Sequence, residues 1–139
     1  MFSNIKSEKS LRKKEILEIS NEEGNNICFE CGKIKYINKQ IIDSSPVEWA
    51  SVNNGIFLCL KCSQEHRGFG SNISLIKSLN MDRWNELEIN LMKLGGNNRL
   101  KKFLSELNIY RNVNKRKLYN SKIMNYYRKM VNIKLINYI

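Results

Sequence analysis

The residues best equipped for chemistry lie in two short stretches. Cys28-Phe-Glu-Cys31 and Cys59-Leu-Lys-Cys62 are two Cys-x-x-Cys pairs, and together they use all four cysteines of the chain. Two such pairs supply four thiolates, the donor set of a closed tetrahedral zinc site. Cys28, Cys31, Cys59 and Cys62 are therefore assigned as ligands of one structural Zn2+. A saturated site holds a fold and offers a substrate no open position. Soon after Cys62 stands Arg67, followed by Gly68-Phe-Gly70. An arginine beside a rigid metal platform is suited to bracing a loop, contacting a phosphate, or lending charge to a transition state elsewhere. The single histidine, His66, is read as a hydrogen-bonded brace of the loop, because the metal is already saturated.

Nothing else in the chain builds an intrinsic active site. No paired catalytic carboxylates, nucleophile–base pair or phosphate-cradling loop is evident, and Gly68-Phe-Gly70 is too short for a nucleotide-binding fingerprint. The sharpest role left for Arg67 is a charge supplied in trans. Phosphoryl transfer spreads negative charge over oxygens, and an arginine so placed is worth about a thousand- to a hundred-thousand-fold in rate.

These residues need a scaffold, and a chain of 139 residues is one domain with a modest core. No apolar run approaches the roughly 18–20 residues of a membrane span. The start, Met1-Phe-Ser-Asn-Ile-Lys, lacks the apolar segment of a secretory signal, and no lipidation motif is visible. A cytoplasmic protein with reduced thiols is expected. The formal charge is +11, and after Gly96 eleven Lys and Arg residues face only Glu106. That surface could meet nucleic acid, an anionic membrane or an acidic protein. It could equally be a solvated face, since Lys, Asn and Ile are all over-used.

In chain order, residues 1–9 read as a disordered leader. Ser10 caps a short helix carrying Leu11, Ile16, Leu17 and Ile19, which stops in the polar, Gly-containing segment at 21–26. Residues 26–32 read as a strand end turning through the first knuckle, and 33–45 as a long loop with room for a short hairpin. Trp49 is read as core packing beside the metal site. Asn53-Asn-Gly55 marks a turn before the apolar strand Ile56–Leu60, with a loop at 63–72 and another strand within Ile73–Leu79. A helix is expected from Asn80 or Met81, with Trp84, Leu87, Leu91 and Leu94 on its apolar face, ending at Gly95-Gly96. A second runs from Arg99 to Leu107 on Leu100, Phe103, Leu104 and Leu107. Asn120 caps the last, with Ile123, Tyr126, Tyr127, Met130 and Val131 as apolar positions.

The run from Pro46-Val-Glu-Trp49-Ala-Ser51 through Cys59 and Cys62 to His66-Arg67-Gly-Phe-Gly70 resembles the signature of the Arf GTPase-activating (ArfGAP) domain. The likeness extends back to Cys28-Phe-Glu-Cys31-Gly32 and on through Lys77-Ser78, Met81-Asp-Arg-Trp84 and Leu94-Gly95-Gly96-Asn97. Lys117-Leu-Tyr119-Asn-Ser-Lys followed by Tyr127-Arg-Lys looks like the domain end of the Golgi-associated branch. The resemblance covers residues 10–131, leaving 132–139 as the end of the last helix or a tail. It implies an α+β fold, a short three-stranded sheet surrounded by helices around a four-cysteine zinc finger. It also implies a GTPase activator that completes the active site of a GTP-bound Arf-family GTPase, with Arg67 matching the family's finger. Vesicle trafficking, recruitment from the cytoplasm to Golgi membranes, coat proteins as further partners and a monomeric state come with that reading. Contact with anionic membrane fits it; nucleic acid does not, and is the partner, with anionic lipid, of the alternative reading as a zinc-knuckle binding module.

The chain departs from the family in four places. It carries an insertion of about ten residues within 34–45, whose loop-closure cost grows only logarithmically with length. Gln64 and Phe69 replace the family's usual glycine and leucine, and Ser71-Asn72 its usual Val-His.

Overall fold

A computed structural model describes residues 2–32, 34–37, 40–44, 46–109 and 113–138. Its centre is an antiparallel three-stranded sheet of order β4-β3-β5, from β3 (Val47–Ser51), β4 (Ile56–Cys59) and β5 (Ile76–Ser78). Trp49 pairs with Leu58 on one side and Ser78 on the other. A separate hairpin, β1 (Ile34–Ile37) with β2 (Gln40–Ser44), lies in the stretch read above as an insertion. Among the described residues six helices surround the sheet: α1 (Phe2–Ser20), α2 (Leu60–Arg67), α3 (Glu86–Leu94), α4 (Asn97–Glu106), α5 (Lys115–Tyr119) and α6 (Lys122–Tyr138). The α+β architecture expected above is the one observed.

Strand β4 explains why its sequence is uninterruptedly apolar. All four residues are buried. Ile56 and Leu58 enter a core with Leu100, Leu104, Tyr119, Met124, Tyr127, Val131 and the cysteines. Phe57 faces the other way, into Ile16, Ile19, Ala50, Leu79, Trp84, Ile89 and Met92. A two-faced strand needs apolar residues at every position. β4 lies at the sheet edge, and Asn97 closes that edge. Its Oδ1 accepts from the Phe57 N–H at 2.8 Å, while its Nδ2 donates to the carbonyls of Gly24 and Ile27. Phe57 also accepts from the Phe29 N–H at 3.0 Å, which ties the first cysteine knuckle to the sheet. Asn97→Ala strands these buried groups and is expected to cost about 2–3 kcal/mol, read by urea denaturation.

Several element boundaries differ from the sequence reading. The leader expected at 1–9 is helical from Phe2, with Met1 outside the described residues. No glycine or proline interrupts residues 2–20, so Ser10 lies inside α1 and caps nothing. Residues 26–32 form turns with no strand, and the loop at 63–72 is helical as far as Arg67. The predicted loop at 33–45 contains the β1–β2 hairpin; 33, 38, 39 and 45 lie outside the described residues, as does Arg111 of the basic segment.

Helix α3 begins at Glu86 because Asn85 and Glu88 form a reciprocal capping box. Trp84 therefore precedes it and donates its Nε1–H to the Ser78 carbonyl at 3.0 Å. Ile89 and Met92 are its buried residues, whereas Leu87 is exposed. Leu107 is likewise exposed just past α4. For α6, the Ser121 hydroxyl accepts from the Met124 N–H, so Ser121 caps the helix in place of Asn120. The same helix buries Met124, Tyr127, Val131 and Leu135 and turns Ile123 and Tyr126 outward. One glycine contact is sterically required: Gly55, at φ +65°, meets the Gly95 Cα so closely that a Cβ would stand 3.2 Å from it.

Candidate metal centre and arginine platform

The two knuckles reach one point by different routes. Strand β4 ends at Cys59, which begins α2 and leaves Cys62 in its first turn. The other pair lies in a turn closed by the Gly32 N–H donating to the Cys28 carbonyl at 3.0 Å. The four sulfurs all lie within 4.8 Å of one another, and Cys31 and Cys59 approach to 3.9 Å. A tetrahedron with zinc–sulfur bonds of about 2.3 Å has sulfur–sulfur edges of about 3.8 Å. The cluster fits that frame. All four thiols are free of disulfides, and three are buried.

The three buried thiols of the cluster perturb one another. A hydrogen bond from the Cys62 thiol, working against burial, pulls the Cys28 thiol down to about 4. The same bond, and then burial, push Cys62 up. Burial raises Cys59 as well. One thiolate is thus stabilised at the expense of its neighbours, because like charges at this spacing disfavour one another. A bound cation would relieve that repulsion.

A polar chain runs from this centre beneath α2. His66 is fully buried, and its Nδ1 lies 2.8 Å from Ser74 Oγ, which in turn bonds Ser51 Oγ at 2.7 Å. Its Nε2 faces Glu30 Oε1 at 3.6 Å. His66 is therefore the loop brace expected from sequence. Glu30, between Cys28 and Cys31, also accepts from the Tyr119 hydroxyl and pairs with Lys115 Nζ at 3.3 Å. Burial pushes the Glu30 carboxyl up, but His66, Tyr119 and Lys115 outweigh it and hold it below its usual range.

Arg67 is exposed at the end of α2, with its guanidinium 5.3 Å from the centre of the Trp49 ring. Trp49 is half-buried against the core that contains the cysteines. Its predicted packing role holds, and its ring also carries Arg67. The next two residues are held from the other side. Arg116 Nη2 donates to the Gly68 carbonyl at 2.8 Å, and its guanidinium lies 5.6 Å from the Phe69 ring centre. Phe69 packs against His66 and Tyr119, with ring centres 4.9 Å and 5.9 Å away. The larger side chain at 69 is thereby accommodated. Gln64 is exposed on α2, where a side chain costs no packing and suits a helix better than glycine. Ser71 and Asn72 lie on an exposed turn.

Glu30, Tyr119, Lys115 and Arg116 were not singled out from sequence. Glu30 had one available signal, an acid inside a knuckle of a chain with a single histidine. The other three depend on helix α5, too short to show a periodicity.

A three-stranded sheet, surrounding helices and a four-cysteine cluster define a small zinc-finger-type α+β domain. The ArfGap family model, described as "Putative GTPase activating protein for Arf", matches residues 13–135, and the chain belongs to that family. It is 36% identical over 112 residues to the sporulation protein SPS18 of Saccharomyces cerevisiae, covering 81% of this chain and 33% of that protein. It is 32% identical over 108 residues to ADP-ribosylation factor GTPase-activating protein 3 of Pongo abelii, covering 77% of this chain and 19% of that protein. The chain thus spans a third or less of the length of these relatives. Its fold matches a "putative GTPase activating protein for ADP ribosylation factor" from Cryptosporidium parvum, with TM-score 0.74 at 23% identity over 91% of this chain and 93% of that one. The ArfGap domain of HIV-1 Rev binding protein matches with TM-score 0.62 at 19% identity, over 91% and 87%.

Proposed function

We propose that this chain activates GTP hydrolysis by a GTP-bound Arf-family GTPase, supplying Arg67 in trans to complete that enzyme's active site. The observation that carries the reading is the setting of Arg67. It is exposed, lies in none of the ion pairs found among the described residues, and ends a helix whose first turn belongs to the cysteine cluster. Such a guanidinium is anchored at its base, and at its tip it rests on the Trp49 ring with no ion-pair partner among the described residues. It offers a planar fork of donors to oxygens on which charge develops. The Arf contributes nucleotide and magnesium; this chain contributes the arginine and a docking surface. Membership of the ArfGap family supports that choice of partner.

Cys28, Cys31, Cys59 and Cys62 would hold one Zn2+, which when bound supplies structure and no reaction chemistry. Their rigidity reaches Arg67 through α2, and Arg116 and Phe69 restrain the residues that follow it. Work on cytoplasm-facing Golgi membranes in vesicle trafficking, coat proteins among the partners and a monomeric state belong to the same proposal. Single-turnover GTP hydrolysis by Arf, with and without this chain, tests it; turnover unchanged by the chain would reject it.

The grip on Gly68 makes its own prediction. Arg116→Ala should lower stimulated turnover about ten- to a hundred-fold, because small misplacements of a reacting group are costly. Zinc content and melting temperature should stay near those of the unaltered chain, since Arg116 is exposed.

A further inference from the structure

Helix α6 has two apolar faces, and the fold uses one. Met124, Tyr127, Val131 and Leu135 enter the core. On the opposite side Tyr126, Ile133 and Ile136 are exposed, the last by 72%. At 100° per residue these three fall within one outward arc, which Lys122 and Lys129 share. Both lysines are exposed. The helix contains four basic residues and no acidic one. Isoleucines facing water add little to the core, and the lysines between them, on a helix without acids, give the face a definite charge preference.

We infer that this outer face of α6 rests on an anionic lipid bilayer. Ile133, Ile136 and the Tyr126 ring would enter the boundary between headgroups and acyl chains, while Lys122 and Lys129 reach lipid phosphates. Apolar side chains interleaved with long basic ones are what that interface accommodates, with each lysine snorkelling outward. A nucleic acid would use the lysines but leave two isoleucines against its hydrated backbone. A second copy would bring two lysines against two lysines. Bilayer contact satisfies both halves of the pattern. It also gives part of the basic surplus after Gly96 a use other than solvation. The helix is not long and apolar enough to cross a membrane, so the contact is peripheral and reversible.

Vesicle flotation tests this without any measurement of GTP turnover, so it stands or falls separately from the proposed activity. The chain should float with phosphatidylcholine vesicles containing phosphatidylserine, not with phosphatidylcholine alone, and salt should release it. Ile133→Asn with Ile136→Asn should weaken binding about ten-fold per residue. Lys122→Gln with Lys129→Gln should weaken it about five-fold per residue. Both double variants should melt like the unaltered chain, because every altered side chain is exposed. Equal binding to neutral and anionic vesicles would overturn the inference, and so would no flotation at all. Full flotation by either double variant would do the same. So would single-stranded RNA binding or dimer formation that depends on these residues while vesicles are ignored.

Discussion

Arg67→Ala is expected to remove about a thousand-fold or more of the stimulated GTP hydrolysis while leaving the domain folded. The two halves of that expectation rest on different observations. The loss follows if the guanidinium is the charge placed against the transferring phosphoryl group, a contact that matures in the transition state. Retention of the fold follows from exposure: Arg67 gives up only a surface contact with Trp49, worth about 0.5–1 kcal/mol. Arg67→Lys should fail nearly as badly, since a point charge on a flexible stem does not reproduce a planar fork. Affinity for GTP-loaded Arf should fall far less than turnover. Single-turnover kinetics and thermal melting of each variant separate the cases. Undiminished stimulation by Arg67→Ala would end the finger assignment; parallel loss of stability and turnover would make Arg67 structural.

What could be read from the chain, and what could not, divides by the range of the interaction. The cysteine pairs were legible because metal coordination demands particular atoms at short spacing, and the four sulfurs do converge. The continuous apolar run at Ile56–Cys59 was legible as a strand, although only the fold shows that opposite cores cover its two faces. Helix starts were misplaced where a local cap outweighed hydrophobic periodicity. Trp84 and Leu87 suggested an early start to α3, but the Asn85–Glu88 box sets it later. Periodicity also failed on α6, because Ile123 and Tyr126 imitate core positions and face solvent instead. The hairpin at 34–44 gave no alternating pattern to find. Least legible was the support beneath the site. Glu30 and Tyr119 are 89 residues apart, Gly68 and Arg116 are 48 apart, and no periodic signal links such positions.

Cys59→Ser should release the metal and unfold most of the domain. The reason lies in where Cys59 stands, as the last residue of β4, the first cysteine of the second knuckle and a member of the core with Leu58, Leu100 and Tyr119. Structural zinc contributes about 10–16 kcal/mol of apparent binding free energy in small sites. A domain of this size has only about 5–15 kcal/mol of net stability to lose. Loss of one ligand should therefore abolish the cooperative transition, and a strong chelator should do the same to the unaltered chain. A purely hydrophobic role predicts otherwise, since exchanging a small buried side chain usually costs about 0.5–3 kcal/mol. Acid separates the two further. Protons compete with the metal for thiolates, so zinc release should accompany unfolding as pH falls. Metal analysis of the purified chain, with melting followed by circular dichroism, decides the matter. One zinc per chain, lost together with the fold in Cys28→Ser, Cys31→Ser, Cys59→Ser and Cys62→Ser, is the expected result. A Cys59→Ser chain that stays metal-loaded and melts cooperatively would leave the cysteines as ordinary core residues and remove the rigid base from beneath Arg67.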